Sequence, residues 1–237
     1  MSQLKIILFL LLFLNFNFTH AQDNSVFKIE KGEFVYKGKP IPIYSGEMHY
    51  ERIPKAYWRH RIQMLKAMGM NTIATYVFWN YHNTAPGIWD FKSGNKNINE
   101  FIKIAQEEEM FVILRPGPYA CGEWEFGGYP WFLQNIEGLK VRENNEAFLE
   151  ACRDYINSLA EEVVDLQISH GGNIIMTQVE NEFGSYVAQR EDISAEAHKI
   201  YKTKIFEMLK DAGFEAPFFT SDGTWLFEDG AIEGVLP

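Results

Sequence analysis

Residues 174–184 read Ile-Ile-Met-Thr-Gln-Val-Glu-Asn-Glu-Phe-Gly, an apolar run that ends abruptly on two carboxylates with an amide between them. A short run of this kind predicts a strand buried on both faces, as in a parallel sheet. Carboxylates this close repel one another and are costly to desolvate, so the end of such a strand is a place where chemistry is expected. The same form recurs at Ile41–Tyr44, Thr72–Val77, Phe111–Leu114 and Pro217–Thr220. Each run leads at once into a polar cluster: Glu47 and His49, Trp79 and Asn80, Arg115 through Glu123, Asn181 and Glu182, Ser221 and Asp222.

Between the runs the spacing turns helical. Pro54 suits a first turn, and Trp58, Ile62, Leu65 and Met68 then share one face before Gly69. Ile98, Phe101, Ile102 and Ala105 form a second such face, Phe148, Cys152, Ile156, Leu159 and Val163 a third, and Tyr201, Ile205, Met208 and Leu209 a fourth that stops at Gly213. Strands alternating with helices predict an α/β fold with a parallel sheet. Two architectures compete, an open doubly wound sheet and a (β/α)8 barrel. The turn after the first run, SGEMHYERIP (residues 45–54), has no glycine-rich phosphate cradle. Polar clusters at every strand end would converge on one mouth in a barrel, and that favours the barrel. The expectation is a (β/α)8 TIM barrel with about five of its eight strands present. Val235-Leu236-Pro237 would enter a sixth strand, so residues 22–237 read as the front part of a longer catalytic domain.

Composition narrows the class. The chain has 237 residues, is 46% hydrophobic, and carries a formal charge of −10. That excludes disorder and argues against a nucleic-acid partner. Lys5, the apolar run Ile6–Leu14 and Thr19-His20-Ala21 predict a signal peptide over residues 1–21, hence export to the periplasm or the extracellular space, or to a lysosome-like compartment. The run breaks at Asn15 and Asn17, too short for a membrane span. Cys121 and Cys152 are the two cysteines; Cys152 reads as a core residue, and a bridge between them is not expected. No histidine spacing suits a metal and no nucleotide motif is present, so neither metal nor cofactor is expected.

Glycoside hydrolysis uses a carboxylic acid to protonate the departing oxygen and a second carboxylate across the sugar. The acid must keep its proton near neutral pH, which burial or a neighbouring negative charge achieves. Glu180 and Glu182 both qualify. Two residues apart on an ideal strand they would point the same way, so periodicity does not choose between them. A structural carboxylate paired with Arg115 or a lysine is the competing reading. Asn181 can donate to a sugar hydroxyl. The long loop RPGPYACGEWEFGGYPWFL (residues 115–133) adds aromatic faces for sugar C–H surface and Glu123 for hydroxyls, although Trp124, Tyr129 and Trp131 could each be plain packing. His49 and His82 read as hydrogen-bonded scaffold.

Together, SGEMHYERIP, TYVFWNYHNTAPGIWDF, ILRPGPYACGEWEFGGYPWFL and IIMTQVENEFGSY resemble family 35 glycoside hydrolases, the β-galactosidases of (β/α)8 fold. The resemblance implies a retaining hydrolase of terminal non-reducing β-D-galactose, needing no metal. It makes Glu182 the acid/base and gives Asn181, Tyr76 and Glu123 contacts to the sugar, with Cys121 and Gly122 lining the pocket through backbone. Two positions depart from the family's usual text: His82-Asn83-Thr84 stands for HEP, and Gly122 stands for alanine in CAEW. The family's nucleophilic glutamate lies near the seventh strand, beyond Pro237, so the 237-residue chain alone is expected to be inactive and poorly soluble. A non-catalytic galactoside-binding homologue and a related glycosidase for another sugar are the alternatives.

Overall fold

The structure is a computed structural model, described here for residues 26–215, 217–222 and 231–237. The expected signal peptide falls outside these residues. The chain opens with an antiparallel meander, β1 (Phe27–Glu30), β2 (Glu33–Tyr36) and β3 (Lys39–Pro40), for which the sequence reading named no strand. Then comes a five-stranded parallel sheet whose spatial order is β10-β9-β8-β5-β4. Its members are β4 (Ser45–Glu47), β5 (Thr72–Tyr76), β8 (Phe111–Arg115), β9 (Ile174–Gln178) and β10 (Phe218–Phe219). A small hairpin, β6 (Asn83–Ala85) and β7 (Ile88–Trp89), follows β5. Neighbours in the large sheet follow chain order, as consecutive strands of a (β/α) barrel do.

Four of the five apolar runs became strands where expected. The first did not. Ile41–Tyr44 forms no strand, although the Ile41 N–H donates to the Phe34 carbonyl (2.9 Å) and the Tyr44 carbonyl accepts from the Asn71 N–H (3.0 Å). The strand begins at Ser45, where Ser45, Gly46 and Glu47 register with Thr72, Ile73 and Ala74. The apolar residues Ile41 and Ile43 pack instead with Phe27, Phe34 and Tyr36 of the meander against Phe111, Ile113 and Ile175. Their hydrophobicity serves this second cluster rather than the sheet. At the other end Leu236 forms an isolated parallel bridge with Phe219, the sixth-strand position expected for Val235–Pro237.

Helices α1 (Trp58–Ala67), α2 (Trp79–His82), α3 (Ile98–Glu107), α4 (Glu146–Val163), α5 (Phe183–Val187) and α6 (Ala195–Asp211) connect the strands. Asn97, Asn145 and Ser194 cap α3, α4 and α6 by accepting a backbone N–H three residues on. The apolar faces read from spacing are buried on α3, α4 and α6. On α1 the face stops short: Trp58 and Ile62 are buried, whereas Met68 is 70% exposed. Tyr155 of α4 fixes the mouth from below, its hydroxyl donating to the carbonyls of Val77 (3.1 Å) and Pro116 (2.8 Å) just past β5 and β8. It also stacks on Trp79 with ring centroids 4.8 Å apart.

Candidate active site

The C-terminal ends of β4, β5, β8 and β9 bring Glu47, Tyr76, Arg115 and Asn181 together. Asn181 is buried, and its Oδ1 accepts from the Tyr76 hydroxyl (2.8 Å), Arg115 Nη2 (3.0 Å) and Gln178 Nε2 (3.0 Å). With three donors on one oxygen, the amide orientation is fixed. Its Nδ2 is buried and has no partner. A buried donor left unpaired costs roughly 1–3 kcal/mol, which a ligand acceptor would relieve.

The Arg115 guanidinium lies 3.9 Å from the Tyr76 ring centroid and pairs with Glu47. His49 Nε2 meets Glu47 Oε1 at 2.6 Å. The His49 bond, opposed in part by burial and assisted by the Arg115 charge, holds the Glu47 carboxyl below its ordinary value. Burial pushes the Tyr76 phenol well up, and the charges of Glu47, Cys121 and Glu182 push the same way. Tyr76 is therefore a neutral hydrogen-bond donor. His82 is scaffold, buried, bonded to the Tyr50 hydroxyl and to the Asp90 carbonyl.

The two glutamates of 180–182 separate completely. Past Gln178 the chain leaves the strand: Glu180 (φ 61°) and Glu182 (φ 46°) both adopt left-handed backbone, a conformation that costs a non-glycine residue roughly 1–3 kcal/mol and gathers at functional sites. This breaks the period of two, so the shared orientation expected for an ideal strand does not occur. Glu180 points inward and is fully buried, meeting Arg142 Nη2 at 2.6 Å and Nε at 3.1 Å, the Tyr201 hydroxyl at 3.0 Å, and the Asn181 backbone N–H at 2.7 Å. It is the structural carboxylate, and its partner is Arg142 rather than Arg115 or a lysine. Burial opposes the charge on Arg142, but Glu180 and the surrounding hydroxyls overcome this and hold it more firmly protonated than usual. No local signal marks Arg142, which lies 38 residues upstream.

Glu182 points outward and is exposed, not desolvated as the acid's chemistry led the sequence reading to expect. Its backbone is nevertheless anchored. The Glu182 N–H donates to the Ser221 carbonyl (2.9 Å), and the Gly184 N–H donates to Asp222 Oδ1 (2.6 Å). Asp222 in turn pairs with Lys202 at 3.1 Å, both side chains buried. The polar pair after β10 thus positions the 182 turn.

Cys121, Gly122 and Glu123 form a left-handed turn, with φ of 54°, 55° and 47°. A side chain at Gly122 would bring a Cβ within 3.2 Å of the Phe78 ring and 3.5 Å of the Tyr76 ring, so this turn lies against the tyrosine that donates to Asn181. Arg52 clamps it, donating to the carbonyls of Gly122 and Glu123 while lying over the Phe78 and Trp124 rings. Arg52 is a positioning residue that the sequence reading missed, since only its place in SGEMHYERIP hinted at it. Cys121 and Cys152 are both free thiols. Of the loop aromatics, Tyr129 is core, Trp124 stacks on Phe78 at 4.2 Å, and Trp131 is 57% exposed. Among the described residues, no group of three or more His, Cys, Asp or Glu could hold a metal ion, and no helix is long and apolar enough to cross a membrane.

Parallel strands in chain order feeding a carboxylate- and aromatic-lined mouth place the chain in the (β/α) barrel class. The endo-1,4-beta-mannanase from Rhizomucor miehei shares the fold with a TM-score of 0.63 at 14% identity, covering 84% of this chain and 61% of that one. A GH5_18 protein from Streptomyces cattleya, solved in complex with GlcNAc, matches with a TM-score of 0.59 at 11% identity, covering 76% and 44%. The model of glycosyl hydrolases family 35 matches residues 33–229, and the chain belongs to that family. It is 44% identical over 205 residues to a beta-galactosidase of Xanthomonas manihotis, covering 86% of this chain and 33% of the relative. To beta-galactosidase-1-like protein 2 of Homo sapiens it is 40% identical over 203 residues, covering 86% and 30%. The chain thus spans about a third of the length of the curated relatives it matches.

Proposed function

We propose that the protein carrying this chain is an exported retaining β-galactosidase that releases terminal non-reducing β-D-galactose. The observation that carries the reading is the buried, unpartnered Nδ2 of Asn181, held by Tyr76, Arg115 and Gln178 in the orientation that presents a donor to a sugar hydroxyl. Tyr76, Glu123 and the backbone of Cys121 and Gly122 complete the galactose pocket. Glu182 gives its proton to the departing oxygen while a glutamate beyond residue 237 attacks the anomeric carbon. Glu182 then takes a proton from water as the galactosyl-enzyme is hydrolysed. Retention requires the two carboxyl groups to stand about 5–5.5 Å apart in the complete protein. The names of the relatives support galactose as the sugar, and the apolar run at the start of the sequence supports export.

The exposure of Glu182 favours a second reading, galactoside binding without turnover, because the enclosure that acid catalysis calls for is not seen around it. Incubating the full-length protein with lactose and following the anomer of released galactose by NMR separates the two. The β-anomer appearing first supports the enzyme. Saturable binding of lactose without release of galactose supports the binder and removes the hydrolase reading.

A further inference from the structure

A groove of about 490 Å³ leaves the mouth at Glu123 and runs between the loops that follow β5 and β8. That volume lies within the range of small-molecule sites. Two indole rings shape it, and each is pinned by its own N–H. Trp124 donates to Asn80 Oδ1 at 2.8 Å, and Trp131 donates to the Thr84 carbonyl at 3.0 Å. Phe126, 38% exposed, adds a third aromatic surface. No lysine or arginine lines the groove, while carboxylate and amide groups do.

A rigid, solvent-facing indole among neutral and acidic hydrogen-bonding groups suits a particular ligand chemistry. A pyranose has an apolar C–H face for the ring and a rim of hydroxyls for carboxylates and amides. An anionic ligand would find no countercharge there, and an apolar one would strand the polar groups. The geometry points to a second carbohydrate subsite that stacks a neighbouring pyranose of the same glycan on Trp131, with Glu123 shared between this groove and the galactose pocket. The inference rests on the proposed galactosidase reading for what occupies the adjoining pocket. Holding Trp131 rigid before binding lowers the ordering cost, so its contribution goes into affinity for oligosaccharides rather than for single sugars.

The test compares Trp131→Ala with the wild-type full-length protein on an aryl β-galactoside and on galactose-terminated di- and tetrasaccharides, one of them branched. The subsite predicts a roughly tenfold rise in KM for at least one oligosaccharide, with the aryl galactoside's kcat/KM unchanged as proof of an intact fold. Trp131→Phe, which keeps an aromatic face, should recover most of the affinity. Unchanged KM on every oligosaccharide, or an equal loss on the aryl galactoside, overturns the inference. If the wild type hydrolyses none of these substrates, the galactosidase reading fails instead. Calorimetric titration with the same oligosaccharides then decides the groove: weakened binding in Trp131→Ala upholds it, and equal binding overturns it.

Discussion

Arg142 binds both carboxylate oxygens of Glu180 and, from Nη2, also donates to the Asn181 backbone carbonyl at 2.7 Å. One buried cation therefore fixes both Glu180 and the backbone of Asn181. Its guanidinium is itself enclosed by the Tyr119 and Tyr186 rings, 4.0 and 4.5 Å from their centroids.

Breaking this pair strands a charge in the core. Arg142→Ala and Glu180→Ala are each expected to cost about 3–5 kcal/mol of stability, read from denaturant midpoints. Arg142→Ala together with Glu180→Ala should cost less than the sum of the two single changes, because no unpaired charge remains. Full additivity in that cycle would mean the pair is not coupled.

Asn181 tests the pocket. Asn181→Asp keeps the shape and the acceptor oxygen but replaces the unpartnered donor with an acceptor and adds a negative charge. Galactose affinity should fall by tenfold or more, about 1.4 kcal/mol, in titration calorimetry. The fold should survive, since Arg115 still has Glu47, Gln178 and the substituted carboxylate for partners. Retained affinity would remove the amide from the pocket.

Arg52 carries the 121–123 turn through the carbonyls of Gly122 and Glu123. Arg52→Ala frees a backbone of three successive left-handed residues, so KM for an aryl β-galactoside is expected to rise several-fold more than kcat falls. Arg52→Lys should rescue only part, because a single ammonium cannot span two carbonyls and lie over two rings as the guanidinium does. Equal falls in kcat and kcat/KM would assign the residue a different role.

Glu51 lies next to that arginine, fully enclosed, with Oε1 accepting the Phe78 N–H at 3.2 Å and Oε2 unpartnered. Burial pushes its carboxyl up to about 8 from an ordinary 4.5. Between those values the unfolded chain binds fewer protons than the fold, so this group's contribution is intact below about 4.5 and is lost as pH rises toward 8. His82, lowered by burial to about 4 from 6.5, acts in the opposite sense between those two values. The Glu51 effect is therefore cleanest between 6.5 and 8. Glu51→Gln should flatten the decline in melting temperature over that window and raise the melting temperature at its upper end. A parallel decline in both proteins would contradict the assignment.

Residues such as Ile73, Val112 and Ile174 made the sheet legible, because strands buried on both faces declare themselves through continuous hydrophobicity. Ser45–Glu47 did not, since its strand character comes from pairing with Thr72–Ala74 and not from its own side chains. In the site, Tyr76 and Asn181 were singled out by residue type, and the fold joins them through a hydrogen bond of 2.8 Å. Which of Glu180 and Glu182 turns inward was not legible from spacing. It depends on two left-handed backbone turns and on Arg142, a partner distant in sequence, and a periodicity argument assumes away both.

The division of labour between Glu180 and Glu182 is the central claim, and it is tested most directly by the turnover of Glu182→Gln and Glu180→Gln in the full-length protein with lactose, whose poor leaving group needs the acid. Glu182→Gln should lose at least about a hundredfold in kcat while melting as the wild type does, and Glu180→Gln should melt lower. Wild-type turnover in Glu182→Gln, or near-complete loss in a Glu180→Gln protein of undiminished stability, would contradict it.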